Sequence, residues 1–186
     1  MNDPARPGAR YEDLLDLPEN LVGEILGGQL HTSPRPAPAH ARAYSALGYR
    51  PGGPFDGGIG GPGGWWIIDK PELYLDADIL VPDLAGWRRE RMPELPETAW
   101  FELAPDWVCE ILSPSTAQID RSVKMPIYAR AGGRHMWLVD PEIRTLEAYV
   151  PGEDGLWNLL STITNDDPVQ LAPFDAISFP LDGLWA

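Results

Sequence analysis

Hydrophobic and polar positions along the chain follow two periods, and the breaks between them fall at glycine and proline. Residues 1–10 hold two prolines, a glycine and no apolar run, which predicts a flexible arm ahead of a single domain over 11–186. Tyr11 to Leu17 reads as a short helix stopped by Pro18. From Gly23 to Ser33 two apolar runs flank Gly27-Gly28, and paired glycines tolerate positive φ, so a β-hairpin is expected. Pro34 to Pro38 is a rigid loop, and Ala39 to Leu47 a second helix. Alternating or short apolar runs then predict strands at Trp65 to Ile68, Leu73 to Leu75, Ile79 to Ala85, Trp107 to Leu112, His135 to Val139 and Thr145 to Val150. The pattern is fainter at Leu156 to Ile163 and Ala176 to Phe179. Between Leu112 and His135, Ile119, Val123 and Ile127 recur at helical spacing. Ser113 or Ser115 can cap that helix, Gly132-Gly133 can end it, and Pro126 should kink it. The order of elements predicts a mixed α/β domain, a central mixed sheet flanked by helices, with an N-terminal helix and hairpin.

Composition narrows the classes. The chain has 186 residues, 44% of them apolar, enough for one core. No apolar run approaches the ~18 residues a membrane span requires. Residues 1–10 lack the apolar stretch of a secretory signal, and a lone Cys109 excludes an internal disulfide and a cysteine zinc site, so a cytoplasmic protein is expected. Gly58-Ile59-Gly60-Gly61-Pro62-Gly63 matches a dinucleotide fingerprint formally. It follows a Pro/Gly loop and precedes an apparent strand, whereas the fingerprint needs the reverse, so a plain loop is expected. Net charge is −14, from 14 basic and 28 acidic residues. That opposes nucleic-acid binding unless basic groups cluster on one face or a metal supplies positive charge.

Two carboxylates stand out. Alternation puts Glu110 on one face of its strand with Val108 and Leu112, while Trp107, Cys109 and Ile111 fill the other. Both faces are apolar, as in a central strand covered on each side. A buried unpaired carboxylate is costly, so Glu110 should pair with a cation or bind a metal. Asp83 lies similarly among Ile79, Val81 and Ala85, next to Pro82, which suggests an edge or bulge; a turn aspartate closing the strand is the other reading. Two such carboxylates on neighbouring strands would make a hard-oxygen site for Mg²⁺ or Mn²⁺. The chain has only two lysines. Lys70 reads as a surface turn residue. Lys124 either forms an exposed pair with Asp120 or points its ammonium at the carboxylates.

Pro82-Asp83, then Glu110-Ile111-Leu112-Ser113-Pro114-Ser115-Thr116, then Asp120, Lys124 and Tyr128, resembles the Uma-type restriction endonuclease family of the PD-(D/E)XK nuclease superfamily. Gly23 to Gly28, Ser33-Pro34 with His40, and His135 to Asp140 are similar to it too, so the resemblance runs from about Tyr11 to Val150 and weakly to the end. It implies a restriction-endonuclease-like core and hydrolysis of phosphodiester bonds, in DNA by preference, with Mg²⁺ or Mn²⁺ on Asp83, Glu110 and the Ile111 carbonyl. The superfamily's usual lysine position is Leu112 here, which nominates Lys124 as the catalytic lysine. Glu24 matches an acidic position near the metal, and His40 a structural or phosphate-contacting one. Arg88, Arg89 and Arg91 are the nearest candidates for phosphate contacts, unless they form a solvated turn with Glu90. A homodimer through strand edges is a further expectation. Two other readings stay open: a catalytically silent nuclease fold serving as a scaffold, and a metal-dependent hydrolase of a small ester.

Overall fold

The computed structural model describes residues 6–185, so residues 1–5 of the expected arm and Ala186 lie outside the described residues. In chain order the elements begin with β1 (Arg6–Pro7), α1 (Tyr11–Leu15), β2 (Leu21–Leu26), β3 (Gln29–Pro34), α2 (Pro38–Pro51) and β4 (Trp65–Asp69). There follow β5 (Leu73–Leu75), β6 (Asp78–Leu80), β7 (Leu84–Arg88), β8 (Trp107–Ile111), α3 (Ala117–Ile119) and α4 (Met125–Arg130). The chain closes with β9 (His135–Asp140), β10 (Thr145–Pro151), β11 (Trp157–Thr164), β12 (Pro168–Val169) and β13 (Phe179–Pro180). A wide π turn, Asp120–Lys124, joins α3 to α4. Among the described residues no helix is long and apolar enough to cross a membrane.

Six strands form the main sheet in the order β11-β10-β9-β8-β7-β4. Only β8 and β9 run parallel there; every other pair is antiparallel. Parallel neighbours cannot be joined by a tight hairpin, so the chain crosses over between them through α3, the π turn and α4. A second sheet, β1-β3-β2-β6-β5, is antiparallel throughout. The β2–β3 turn is Gly27-Gly28 at φ 59 and 74, the doubly positive pair that a two-residue hairpin needs. Gly8 and Ala9 donate their N–H groups to the Gly28 carbonyl, at 2.9 and 3.1 Å. Residues 6–9 of the expected flexible arm are thereby tied to the hairpin.

Both faces of the main sheet are covered, as the β8 pattern predicts. On one side α2, through Ala43, Ala46 and Leu47, and the C-terminal segment, through Phe174, Phe179, Leu181 and Leu184, pack on Trp107, Cys109, Ile111 and Trp137. On the other, α4 and the smaller sheet pack on Ala85, Trp87, Val108, Leu112, Met136 and Leu138. Glu110 shares this second face.

Three expected elements differ. Ile79 to Ala85 is not one strand: β6 ends at Leu80 in the smaller sheet and β7 begins at Leu84 in the main one. Pro82 lacks an N–H and breaks the ladder there, while the Val81 N–H is taken by Glu24 Oε1 at 2.8 Å. Neither Ser113 nor Ser115 caps the crossover helix; Thr116 is its N-cap, and the Ser113 carbonyl receives the Thr116 and Ala117 N–H groups. The strand expected at Ala176 to Phe179 shrinks to β13, a two-residue pair with β12. The Gly58–Gly63 stretch runs into β4 and opens no helix, in line with its reading as a loop.

Trp107 is fully buried, edge-on to Trp137 at 5.4 Å and to Phe174 at 4.8 Å. Trp107→Ala is expected to lower stability by about 3–5 kcal/mol. Urea unfolding checks this, and a loss under about 1 kcal/mol would mean that the two layers do not depend on that ring.

Candidate active site

β7 and β8 pair with Leu84 opposite Cys109 and Ala85 opposite Val108. Continuing that register outward sets Asp83 across from Glu110, on the face shared by Ala85 and Val108. The Ile111 N–H donates to Asp83 Oδ2 at 2.9 Å and fixes the pair. Both carboxylates line a cleft of about 270 Å³ bounded by the hairpin, the start of α2 and the Ser113–Thr116 loop.

Asp83 has two further partners. His40 Nε2, near the start of α2, lies 3.1 Å from Oδ2. Lys70 Nζ lies 2.8 Å from Oδ1, and the Lys70 N–H donates to the Asp83 carbonyl at 3.0 Å. Lys70 is therefore a residue of the cleft wall, not the surface turn residue its sequence context suggests. Its turn folds back across the start of β7, a long-range pairing that local pattern does not disclose. Its rarity, as one of two lysines, was the one available signal.

Glu110 meets the crossover helix. Lys124 Nζ is 2.7 Å from Glu110 Oε1, 2.9 Å from Glu24 Oε1 and 3.7 Å from Asp120 Oδ1. The Tyr128 hydroxyl donates to the same Glu110 oxygen at 2.7 Å. With 3% of its side chain exposed, Lys124 is no surface partner of Asp120. In the π turn the Met125 N–H bonds back to the Asp120 carbonyl, one residue further than an α-helix allows. Pro126, at the start of α4, has no N–H of its own to keep the tighter register.

Charge is unevenly balanced here. Burial alone would raise the Asp83 pKa, but the hydrogen bonds and charges of His40 and Lys70 prevail and bring it down to about 2. Glu110 goes the other way. Burial pushes it up to about 8, with Lys124 opposing and Asp120, Asp83 and Glu24 reinforcing the rise. Asp120 is pushed up to about 6, mainly by burial, with Lys124 and Thr116 opposing. Lys124 keeps its proton despite burial, because the surrounding carboxylates hold it.

Arg88, Arg89 and Arg91 are not at this cleft. β7 runs away from Asp83, and five residues at about 3.3 Å each carry Arg88 roughly 16 Å along the sheet. Arg88 lies over the Trp65 ring at 4.7 Å, Arg89 holds Asp56 at 2.8 Å, and Arg91 holds the buried Asp106 at 2.8 Å. They tie loops together rather than facing the carboxylates.

The oxygens of Asp83, Glu110, Glu24 and Asp120 are of the kind a hard divalent cation takes, although Arg35, His40, Lys70 and Lys124 line the same cleft. Four carboxylates share two ammonium groups, and at Glu110 and Asp120 burial raises the pKa by more than Lys124 lowers it. Among the described residues, no group of three or more His, Cys, Asp or Glu side chains is arranged to hold a metal ion as it stands. Instead, ammonium nitrogens sit on Asp83 and Glu110, and the contact made by Ile111 is through its N–H.

A pH dependence follows. Glu110 titrates near 8 in the folded chain against an ordinary value of 4.5, so the folded state binds more protons across that interval. Glu110 then contributes a loss of stability as pH rises from about 4.5 to about 8. Glu110→Gln is expected to flatten that part of the profile in urea melts over this range. An unchanged slope would show that Glu110 is ionised throughout.

Comparison with known proteins agrees with this architecture. A crystal structure from Anabaena variabilis, described as a "putative nuclease", superposes with a TM-score of 0.71 over 93% of this chain and 95% of that one, at 21% identity. At that identity the likeness speaks for the fold. A comparison with curated proteins finds no match. A family model described as "Putative restriction endonuclease" (Uma2) matches residues 10–182, a span that includes every cleft residue from Glu24 to Tyr128, and the chain belongs to that family.

Proposed function

We propose that the protein is an endonuclease that hydrolyses phosphodiester bonds of DNA with a divalent metal ion. The observation that carries this reading is the Glu110–Lys124 pair, buried in the central strand and crossover helix yet lining an open cleft beside Asp83. Carboxylates with perturbed pKa values and a specific charge partner, set in a cleft, are the signature of a candidate reactive site.

Asp83 and Glu110, with the Ile111 carbonyl and Glu24 as further oxygens, would hold Mg²⁺ or Mn²⁺, which supplies Lewis-acid polarisation and an acidified water. The chain's own residues do the rest. His40 and Lys70 keep Asp83 ionised. Lys124, fixed by Glu110 and Glu24, presents an ammonium to the negative charge that grows on the phosphoryl oxygens. Tyr128 orients Glu110 through its hydroxyl. Ser113, Ser115 and Thr116 line the rim, where hydroxyls suit phosphate contacts.

A second reading, a nuclease fold serving as a silent scaffold, draws on two observations. The net charge of −14 repels a phosphate backbone, and ammonium groups already neutralise part of the carboxylate charge. Supercoiled plasmid with Mg²⁺ or Mn²⁺ separates the two. The wild-type chain is expected to nick it, Asp83→Ala to abolish nicking, and Lys124→Met to slow it by about 10²–10³-fold. Nicking at equal rates by wild type and Asp83→Ala would assign the activity to a contaminant, and intact plasmid throughout would favour the scaffold.

A further inference from the structure

We infer that Lys70 is an exchangeable internal counter-ion: its ammonium stands on the Asp83 oxygen that a divalent ion needs, and it must leave when the ion binds. The inference rests on the metal-dependent reading above and adds a role for a residue outside the proposed ligand set.

The oxygens of Asp83 are not equivalent. Oδ2 is committed to two protein groups, the Ile111 N–H at 2.9 Å and His40 Nε2 at 3.1 Å. Among the described residues, Oδ1 meets only the Lys70 ammonium, at 2.8 Å. An ion joining Asp83 without breaking the β8 contact takes Oδ1, and repulsion between that ion and an ammonium on the same oxygen drives Lys70 away.

The two lysines differ in their freedom to move. Lys124 is 3% exposed and wedged among Glu24, Glu110 and Asp120, so releasing it would strand buried charge. Lys70 is 35% exposed and can swing its ammonium into cleft water. Its backbone sits at φ 44, a left-handed conformation that strains a residue with a Cβ. The Lys70 N–H bond to the Asp83 carbonyl helps to hold that turn, and it does not depend on where the ammonium goes. The Tyr44 ring lies 5.5 Å from Nζ and offers a face for the displaced cation.

The test measures binding of Mn²⁺ alone by titration calorimetry in wild type, Lys70→Met and Arg35→Met. Arg35 also lines the cleft, but its guanidinium holds the Glu19 carbonyl, so its loss removes a charge without freeing a carboxylate. Lys70→Met is expected to bind Mn²⁺ about tenfold more tightly, the worth of one charge-assisted hydrogen bond, and Arg35→Met within about twofold of wild type. Equal or weaker binding by Lys70→Met overturns the inference, as does equal tightening by both variants. If Lys70→Met unfolds, Lys70→Gln replaces it. A direct readout needs no variant: with two lysines in the chain, amine acylation at Lys70 should speed up when Mn²⁺ is added, while Lys124 stays protected. A constant rate, with Mn²⁺ bound, overturns displacement. Failure of the metal-dependent reading looks different: wild type itself takes up no Mn²⁺, or Asp83→Asn binds it equally well, and the inference then falls too.

Discussion

One ammonium group enclosed by three carboxylates sets the terms for the rest of the molecule. Removing Lys124 from water is expensive, and the attraction that offsets it works only if every partner arrives with good geometry. The partners come from separate parts of the fold. Glu110 sits in the middle of the main sheet, Glu24 in the hairpin of the smaller sheet, and Asp120 one wide turn earlier on the same helix. Glu24 also receives the Val81 N–H at the point where the chain leaves one sheet for the other. The two sheets are thus locked together electrostatically across the cleft as well as through their shared apolar face. Loss of one partner from such a buried set commonly costs about 3–5 kcal/mol, which makes the arrangement an all-or-none feature of the native state.

Some of this was written in local pattern. Glu110 was legible because strand alternation surrounds it with apolar neighbours on both faces, and only an unusual environment retains a carboxylate there. Asp83 was legible as a residue but not as a position. Its apolar run looked like one strand, whereas Pro82 divides the run between two sheets. Lys70 escaped because nothing in Asp69-Lys70-Pro71 records which strand end the turn will meet. The three arginines after Asp83 stand away from the cleft because nearness in sequence is not nearness in space along an extended strand. The π turn left no trace either: Ile119, Val123 and Ile127 keep their spacing whether the intervening turn is tight or wide.

The acidic surface also looks different once partners are known. Arg89 is bound to Asp56, Arg91 and Arg134 to Asp106, Arg121 to Glu147 and Arg130 to Asp78. These five arginines are engaged in fastening loops and strand ends. Any polyanion approaching the cleft meets repulsion that added salt would weaken, within a Debye length of about 8–10 Å.

The three-residue span Val81-Pro82-Asp83 has a further consequence for how this chain can change. Side chains on a strand point alternately up and down, so the span works as a phase-setter between β6 and β7. Losing or gaining one residue there would turn Asp83 toward Trp107 and α2 and bring an apolar neighbour to the cleft in its place. Substitutions at Val81 or Pro82 leave that phase intact; a change in the length of the span does not.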